Sequence, residues 1–192
     1  DLMCISSFHS FEYLLSEKPN NWKTEKYIYH DIDPQGLGWA SPRARWCTRF
    51  LKTDVISKYF RELNKQYHVI NLIGIAADEK KRLERPGTSN KHNRYPLNEW
   101  GLTEGDCLQY CYDRGITWGG LYEHFNRVSC WCCGNKNLWE LYNIWKYLYE
   151  DYWCRLRYLQ FCNKRPFNAK YSIFDLEEKF KSGYIPQKRS IG

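Results

Sequence analysis

The run His68–Ala77, which reads His-Val-Ile-Asn-Leu-Ile-Gly-Ile-Ala-Ala, constrains the fold more than any other stretch of the chain. It is almost continuously apolar and rich in β-branched residues. A strand with one solvated face alternates polar and apolar side chains, whereas a strand buried on both faces reads as an unbroken apolar run. Strands of the second kind belong to parallel sheets covered by helices. The expected class is therefore α/β. Asp78 and Glu79 follow at the carboxyl end of this strand, where open α/β sheets place their ligands.

Helical spacing flanks the run on both sides. Val55, Ile56, Tyr59, Phe60 and Leu63 form one apolar stripe, which predicts a helix over about Thr53–Lys65. Thr103 precedes a second helix with Asp106 as a capping-box partner, and Gly115 suits the left-handed position after its end near Arg114. From Leu138 to Leu159, leucines and aromatics keep helical spacing for about six turns. That stripe reads as core or as an interface, so a homo-oligomer is one expectation. Elsewhere, Phe8, Phe11, Tyr13, Leu14 and Leu15 suggest a short helix or strand, followed by a polar loop over Glu17–Lys26. Asp33–Gly38 reads as turns, Tyr95–Trp100 as a short extended segment and Trp118-Gly-Gly as a loop.

Nine cysteines admit a disulfide framework or a thiolate cluster. The count is odd, five of the nine lie between Cys107 and Cys133, and no charged-then-apolar leader opens the chain. The cluster is the better reading, with a cytoplasmic location. Cys107 and Cys111 are four apart on the second helix and share a face. Cys130-Trp-Cys-Cys133 contains a C-x-x-C that can grip one ion from a tight turn, and Gly134 after it suits such a turn. Four soft ligands suit zinc or an iron–sulfur cluster. Alternatives stay open: the thiols can be small buried hydrophobes, Cys130 and Cys133 a redox pair, and Cys132 a substitute ligand. Cys154 and Cys162 read as packing residues and Cys4 is uninformative. His92 and His124 could act as ligands or acid–base groups, although a loop histidine more often only hydrogen-bonds locally.

The net charge of +7 is uneven. Lys80, Lys81, Arg82, Arg85, Lys91 and Arg94 face only Glu84 across the loop 80–94, a segment that could meet nucleic acid or simply be solvated. Arg43, Arg45, Arg49 and Lys52 gather around the expected start of the Thr53 helix, where free N–H groups and arginine forks could take phosphate. Their alternative is a basic helix cap paired with Asp54 or Glu62. With 43% hydrophobic and 18% aromatic residues, the chain is no disordered tract. No apolar run approaches the roughly 20 residues of a membrane span, so no membrane partner is expected.

Four segments then occur in a telling order: Arg45-Trp-Cys-Thr-Arg-Phe-Leu-Lys52, Gly74-Ile-Ala-Ala-Asp-Glu79, Tyr95-Pro-Leu-Asn-Glu-Trp-Gly-Leu-Thr-Glu-Gly-Asp-Cys107, and Gly119-Gly-Leu-Tyr-Glu-His-Phe-Asn-Arg-Val-Ser-Cys-Trp-Cys-Cys133. Together they resemble the phosphoadenosine phosphosulfate (PAPS) reductase family, particularly its bacterial and phage-encoded branch, over roughly residues 8–180. The resemblance implies an adenine nucleotide α-hydrolase-like parallel sheet flanked by helices, and a site for ATP or a PAPS-like sulfonucleotide. It places Arg45, Arg49 and Lys52 near the phosphates or sulfate, and Asp78 and Glu79 on the pocket wall. It matches Cys107, Cys111, Cys130 and Cys133 to the metal tetrad of that branch. Relatives include sulfurtransferases that put sulfur into the DNA backbone, which adds nucleic acid as an expected partner. On this reading residues 1–100 form the C-terminal portion of a nucleotide-binding domain, 101–165 a helical cysteine-rich metal-binding region, and 166–192 a basic tail. Two departures stand out. The pyrophosphate loop Ser-Gly-Gly-x-Asp-Ser is absent from the 192 residues. Because the chain opens on Asp1 rather than methionine, that loop is expected upstream, or the activity has been lost. The tail from Lys179 to Gly192 also lacks the cysteine that thiol-based sulfonucleotide reduction uses.

Overall fold

The computed structural model describes residues 10–17, 36–85 and 90–188. Cys4, Phe8, the polar loop after Glu17, Asp33–Gln35, the middle of the basic loop and the last four residues lie outside them. In chain order, a π-helical turn (Tyr13–Glu17) precedes α1 (Trp46–Thr48), which runs through a second π-helical turn (Arg49–Thr53) into α2 (Asp54–Leu63). Then come β1 (Asn71–Leu72), α3 (Lys80–Leu83), β2 (Asn93–Arg94), α4 (Pro96–Glu99) and α5 (Glu104–Tyr112). A 3-10 turn (Trp118–Gly120) leads into α6 (Leu121–His124), followed by α7 (Leu138–Tyr147), a π-helical turn (Tyr149–Trp153), α8 (Cys154–Phe161) and α9 (Ile173–Lys181). The protein is thus mixed helical with a small parallel sheet. No helix among the described residues is long and apolar enough to cross a membrane.

The chain packs as two compact units, one of Asp1–Ile56 with Glu123–Gly192 and one of Ser57–Tyr122. The first holds most of the buried apolar side chains. Leu141, Ile144, Trp153, Leu156, Ile173, Leu176 and Phe180 join α7, the π-helical turn, α8 and α9. The Phe180 ring meets Tyr142 at 5.4 Å, Trp145 at 5.7 Å and Trp153 at 5.9 Å between centroids. Such aromatic contacts add to the area they bury. Glu177 of α9 is buried among them and is well partnered: it accepts from the Tyr149 hydroxyl at 2.7 Å and pairs with Arg157 at 3.0 Å.

The expected single helix over Leu138–Leu159 is broken at Leu148, whose φ of −130° and ψ of 38° leave the helical region. An extra residue per turn over Tyr149–Trp153 then restores the apolar face. This keeps Trp153, Leu156 and Leu159 buried although the helix is not continuous.

In the second unit β1 pairs in parallel with β2 in the register Asn71↔Asn93 and Leu72↔Arg94, so the expected parallel pairing is present, in a sheet of two strands. The run His68–Ala77 pairs over only Asn71–Leu72, however, and one face is not covered. Ile70 is 51% and Leu72 66% exposed, while Ile75 and Ala76 further along are buried. Tyr95–Trp100 is helical rather than extended, because Pro96 at the first helical position pre-sets φ and gives up an N–H that would have had no partner. The capping box of α5 is present as expected. The Asp106 N–H donates to Thr103 Oγ1 at 3.1 Å, and the Thr103 N–H donates to Asp106 Oδ2 at 2.9 Å. Gly115 adopts φ +73° just past the helix.

Candidate functional site

Helical structure begins at Trp46 rather than near Thr53, and this changes the basic cluster. Only Arg45 stands at an amino-terminal end, as the residue before α1, while Arg49 and Lys52 lie within helical turns. The N–H groups expected to face a phosphate at Thr53 are therefore engaged in the helix. Arg45, Arg49 and Lys52 are all exposed. Arg49 pairs loosely with Asp54 at 3.6 Å. This cluster belongs to the first unit up to Ile56.

Asp78 and Glu79 belong to the second unit and both have structural partners. Asp78 Oδ1 accepts the Glu104 N–H at 3.1 Å, so it adds a second anchor to the start of α5. Glu79 accepts the Ala76 N–H at 3.3 Å and pairs with Arg82 of α3. These bonds hold the strand-to-helix corner at the carboxyl end of the parallel pair. The remaining carboxylate capacity there suits hydroxyl donors more than phosphate.

Of the four thiols of the expected tetrad, Cys107 and Cys111 belong to the second unit and Cys130 and Cys133 to the first. Each pair is locally arranged as the sequence suggests. Cys107 and Cys111 sit four apart on α5, and the Cys133 N–H donates to the Cys130 carbonyl at 3.2 Å, closing a turn. All four are free thiols, and Cys130 is exposed while the other three are partly so. As a donor set they fit a soft cation. Among the described residues, no three of His, Cys, Asp and Glu come together as a group that could hold a metal ion.

The electrostatic surroundings of the two pairs differ. Burial raises the Cys107 thiol, and the neighbouring Asp106, Cys111, Asp78 and Glu104 push it further in the same direction. A field of that sign disfavours thiolate alone and favours a thiolate carrying a cation. Beside Cys130 and Cys133 lies Lys136, which the sequence did not single out. Its side chain is buried and its ammonium donates to Ser129 Oγ at 2.7 Å. Burial lowers its pKa, partly offset by Glu140 and by the Cys133 and Cys130 thiols. Cys132 is buried, and burial first of all pushes its thiol up to about 12. It packs as a hydrophobe more readily than it ligates. Gly134 proves necessary for a reason other than turn closure: a Cβ there would lie 2.6 Å from the Ala40 carbonyl oxygen.

His124 stacks on Tyr147 with centroids 3.9 Å apart, which is a packing role. The His92 ring lies 5.4 Å from that of His68, and its Nδ1 is buried without a hydrogen-bond partner among the described residues. Of the basic loop, Lys80 and Lys81 of α3 are exposed, whereas Arg82 is engaged with Glu79 and Arg94 with Glu99. No family model, curated protein or solved structure matches the chain.

Proposed function

We propose that the protein binds an adenine nucleotide, ATP or a PAPS-like sulfonucleotide, for nucleotide activation or sulfur transfer, as a relative of the PAPS reductases with an adenine nucleotide α-hydrolase-like sheet. The observation that carries this reading is the parallel β1–β2 pair, whose carboxyl end runs into the corner Ala76–Glu79 braced by Asp78 and Glu79. Ligands of α/β sheets bind at that end of the strands. Arg45, Arg49 and Lys52, all exposed, are the residues proposed for phosphate or sulfate, and Asp78 and Glu79 for the pocket wall. Cys107, Cys111, Cys130 and Cys133 are proposed as ligands of zinc or an iron–sulfur cluster with a structural or sulfur-handling role. That part rests on residue type and spacing.

Calorimetric titration of the full chain with ATP and with PAPS tests the nucleotide claim. One of the two should bind, and Arg45→Ala with Lys52→Ala should weaken it at least about tenfold, as expected when charge-assisted phosphate contacts are lost. A folded chain that binds neither nucleotide refutes it. Elemental analysis tests the metal separately. Zinc or iron should co-purify and be lost in Cys111→Ser and in Cys133→Ser alike.

A further inference from the structure

The first unit carries an open cleft of about 910 Å³ between the turn after the cysteines, the segment Asn168–Tyr171 and the chain after α9. That volume lies at the upper end of the roughly 300–1,000 Å³ spanned by small-molecule pockets. Its lining includes Trp139, Tyr171 and Tyr184 and the lysines Lys136, Lys170 and Lys188, with neither Asp nor Glu. A lysine ammonium lies over each ring. The Lys188 ammonium lies 5.2 Å from the Trp139 centroid, and that of Lys179 lies 5.0 Å from Tyr171 and 4.4 Å from Tyr184. Lys179 also donates to the Tyr171 hydroxyl at 3.3 Å, tying the two tyrosines together. Helix α7 begins at the cleft, but its amino end is closed by the Asn137–Glu140 capping box and is not the source of attraction.

We propose that this cleft binds single-stranded nucleic acid. Flat rings with long, flexible lysines over them suit a polymer that alternates π-faced bases with phosphates: a base takes the lysine's place on a ring and the displaced ammonium meets the backbone. A duplex keeps its bases stacked inside and cannot offer them to Trp139 or Tyr184. An acidic peptide would satisfy the lysines and leave the rings unused. The site is separate from the residues proposed for the adenine nucleotide and does not depend on them.

Fluorescence anisotropy of the full chain with a labelled oligothymidine of about 12 nucleotides tests this, against a duplex and a polyglutamate peptide of similar length. The single strand should bind most tightly. Tyr184 is 40% exposed beyond the last turn of α9, so Tyr184→Ala should leave the thermal transition in place. It should weaken the strand roughly 5- to 100-fold, the range of one lost stacking contact. Lys170→Gln with Lys188→Gln should reduce the slope of log affinity against log salt by about 1.4, from two phosphate contacts. Lys80→Gln with Lys81→Gln should change little. The proposal is overturned if the strand does not bind, or if duplex or polyglutamate binds as well. It is equally overturned if Tyr184→Ala leaves affinity unchanged, or if only the Lys80 and Lys81 changes remove it. ATP titration of Tyr184→Ala separates the two sites, since nucleotide affinity should match that of the unaltered chain.

Discussion

Replacing Glu177 tests whether burial rather than ion-pair distance decides what a charge contributes in this protein. The Glu177 side chain is only 4% exposed and takes Arg157 Nε at 3.0 Å, while the 43% exposed Arg157 keeps access to water. Tyr149 Oη donates to Glu177 at 2.7 Å, and this bond is the chief reason the phenol is raised above its ordinary pKa. Hydrogen bonds to a charged group contribute about 1.5–3 kcal/mol each. In Glu177→Ala the freed Arg157 rehydrates and the cost of burying the carboxylate disappears, which places the net loss near ~2–3 kcal/mol. For a chain of this size each kcal/mol moves Tm by about 2–4 °C, so a fall of roughly 5–10 °C is expected. Glu177→Gln keeps an acceptor for Tyr149 and should lose about half as much. The comparison is Glu62→Gln, which removes a pair with Lys65 at a shorter 2.6 Å but with side chains 65% and 62% exposed. Exposed pairs contribute about 0–1 kcal/mol, so Tm should barely move. Circular dichroism melts of the three variants decide the matter. If Glu177→Ala lowers Tm no more than Glu62→Gln, the reasoning from burial is wrong.

Two further outcomes follow from local geometry. Hydrogen bonds from Thr103 hold the Asp106 carboxyl below the usual carboxylate range, and those from Ser172 do the same for Asp175. Each depressed carboxylate contributes stability that is present above its unfolded pKa and is lost as pH falls through the lower folded value. Thr103→Val with Ser172→Ala should therefore flatten the acid limb of Tm against pH, and an unchanged limb in melts taken from neutral to acid pH would count against this. At Gly134, an added methyl would meet the Ala40 carbonyl at 2.6 Å, backbone that cannot swing aside. Gly134→Ala should cost about 1–3 kcal/mol, the usual range of overpacking, measured by urea denaturation.

Local signals in the sequence carried through to the structure where the interaction is itself local. The Thr103–Asp106 capping box joins two residues three apart, so the pattern contains all of its partners. Gly115 likewise marks a backbone angle of its own. The α7–α8 segment shows where such reading loses information. Apolar spacing is preserved when Leu148 leaves the helix and a wider turn follows, because the extra residue returns the buried face to its line. A stripe of leucines and aromatics is compatible with both geometries. Lys136 had no signal, since a lysine in Gly-Asn-Lys-Asn reads as solvated until tertiary packing buries it against Ser129 and Phe125. The cleft was also hidden, for Trp139, Tyr171 and Lys188 come together only through the fold.

The strand His68–Ala77 marks the deeper limit. Its composition was right for a parallel strand, and β1 does pair in parallel with β2. Composition, however, reports what a position tolerates, whereas burial depends on what lies opposite. Ile70 and Leu72 are two apart and point to one face of the strand, and both are more than half exposed. Along Val69, Asn71 and Ile73 the other face is partly covered. The run therefore behaves as a strand with one packed face despite an apolar sequence on both. Of the α/β reading, the structure keeps a two-stranded parallel pair and the corner at Asp78 that follows β1.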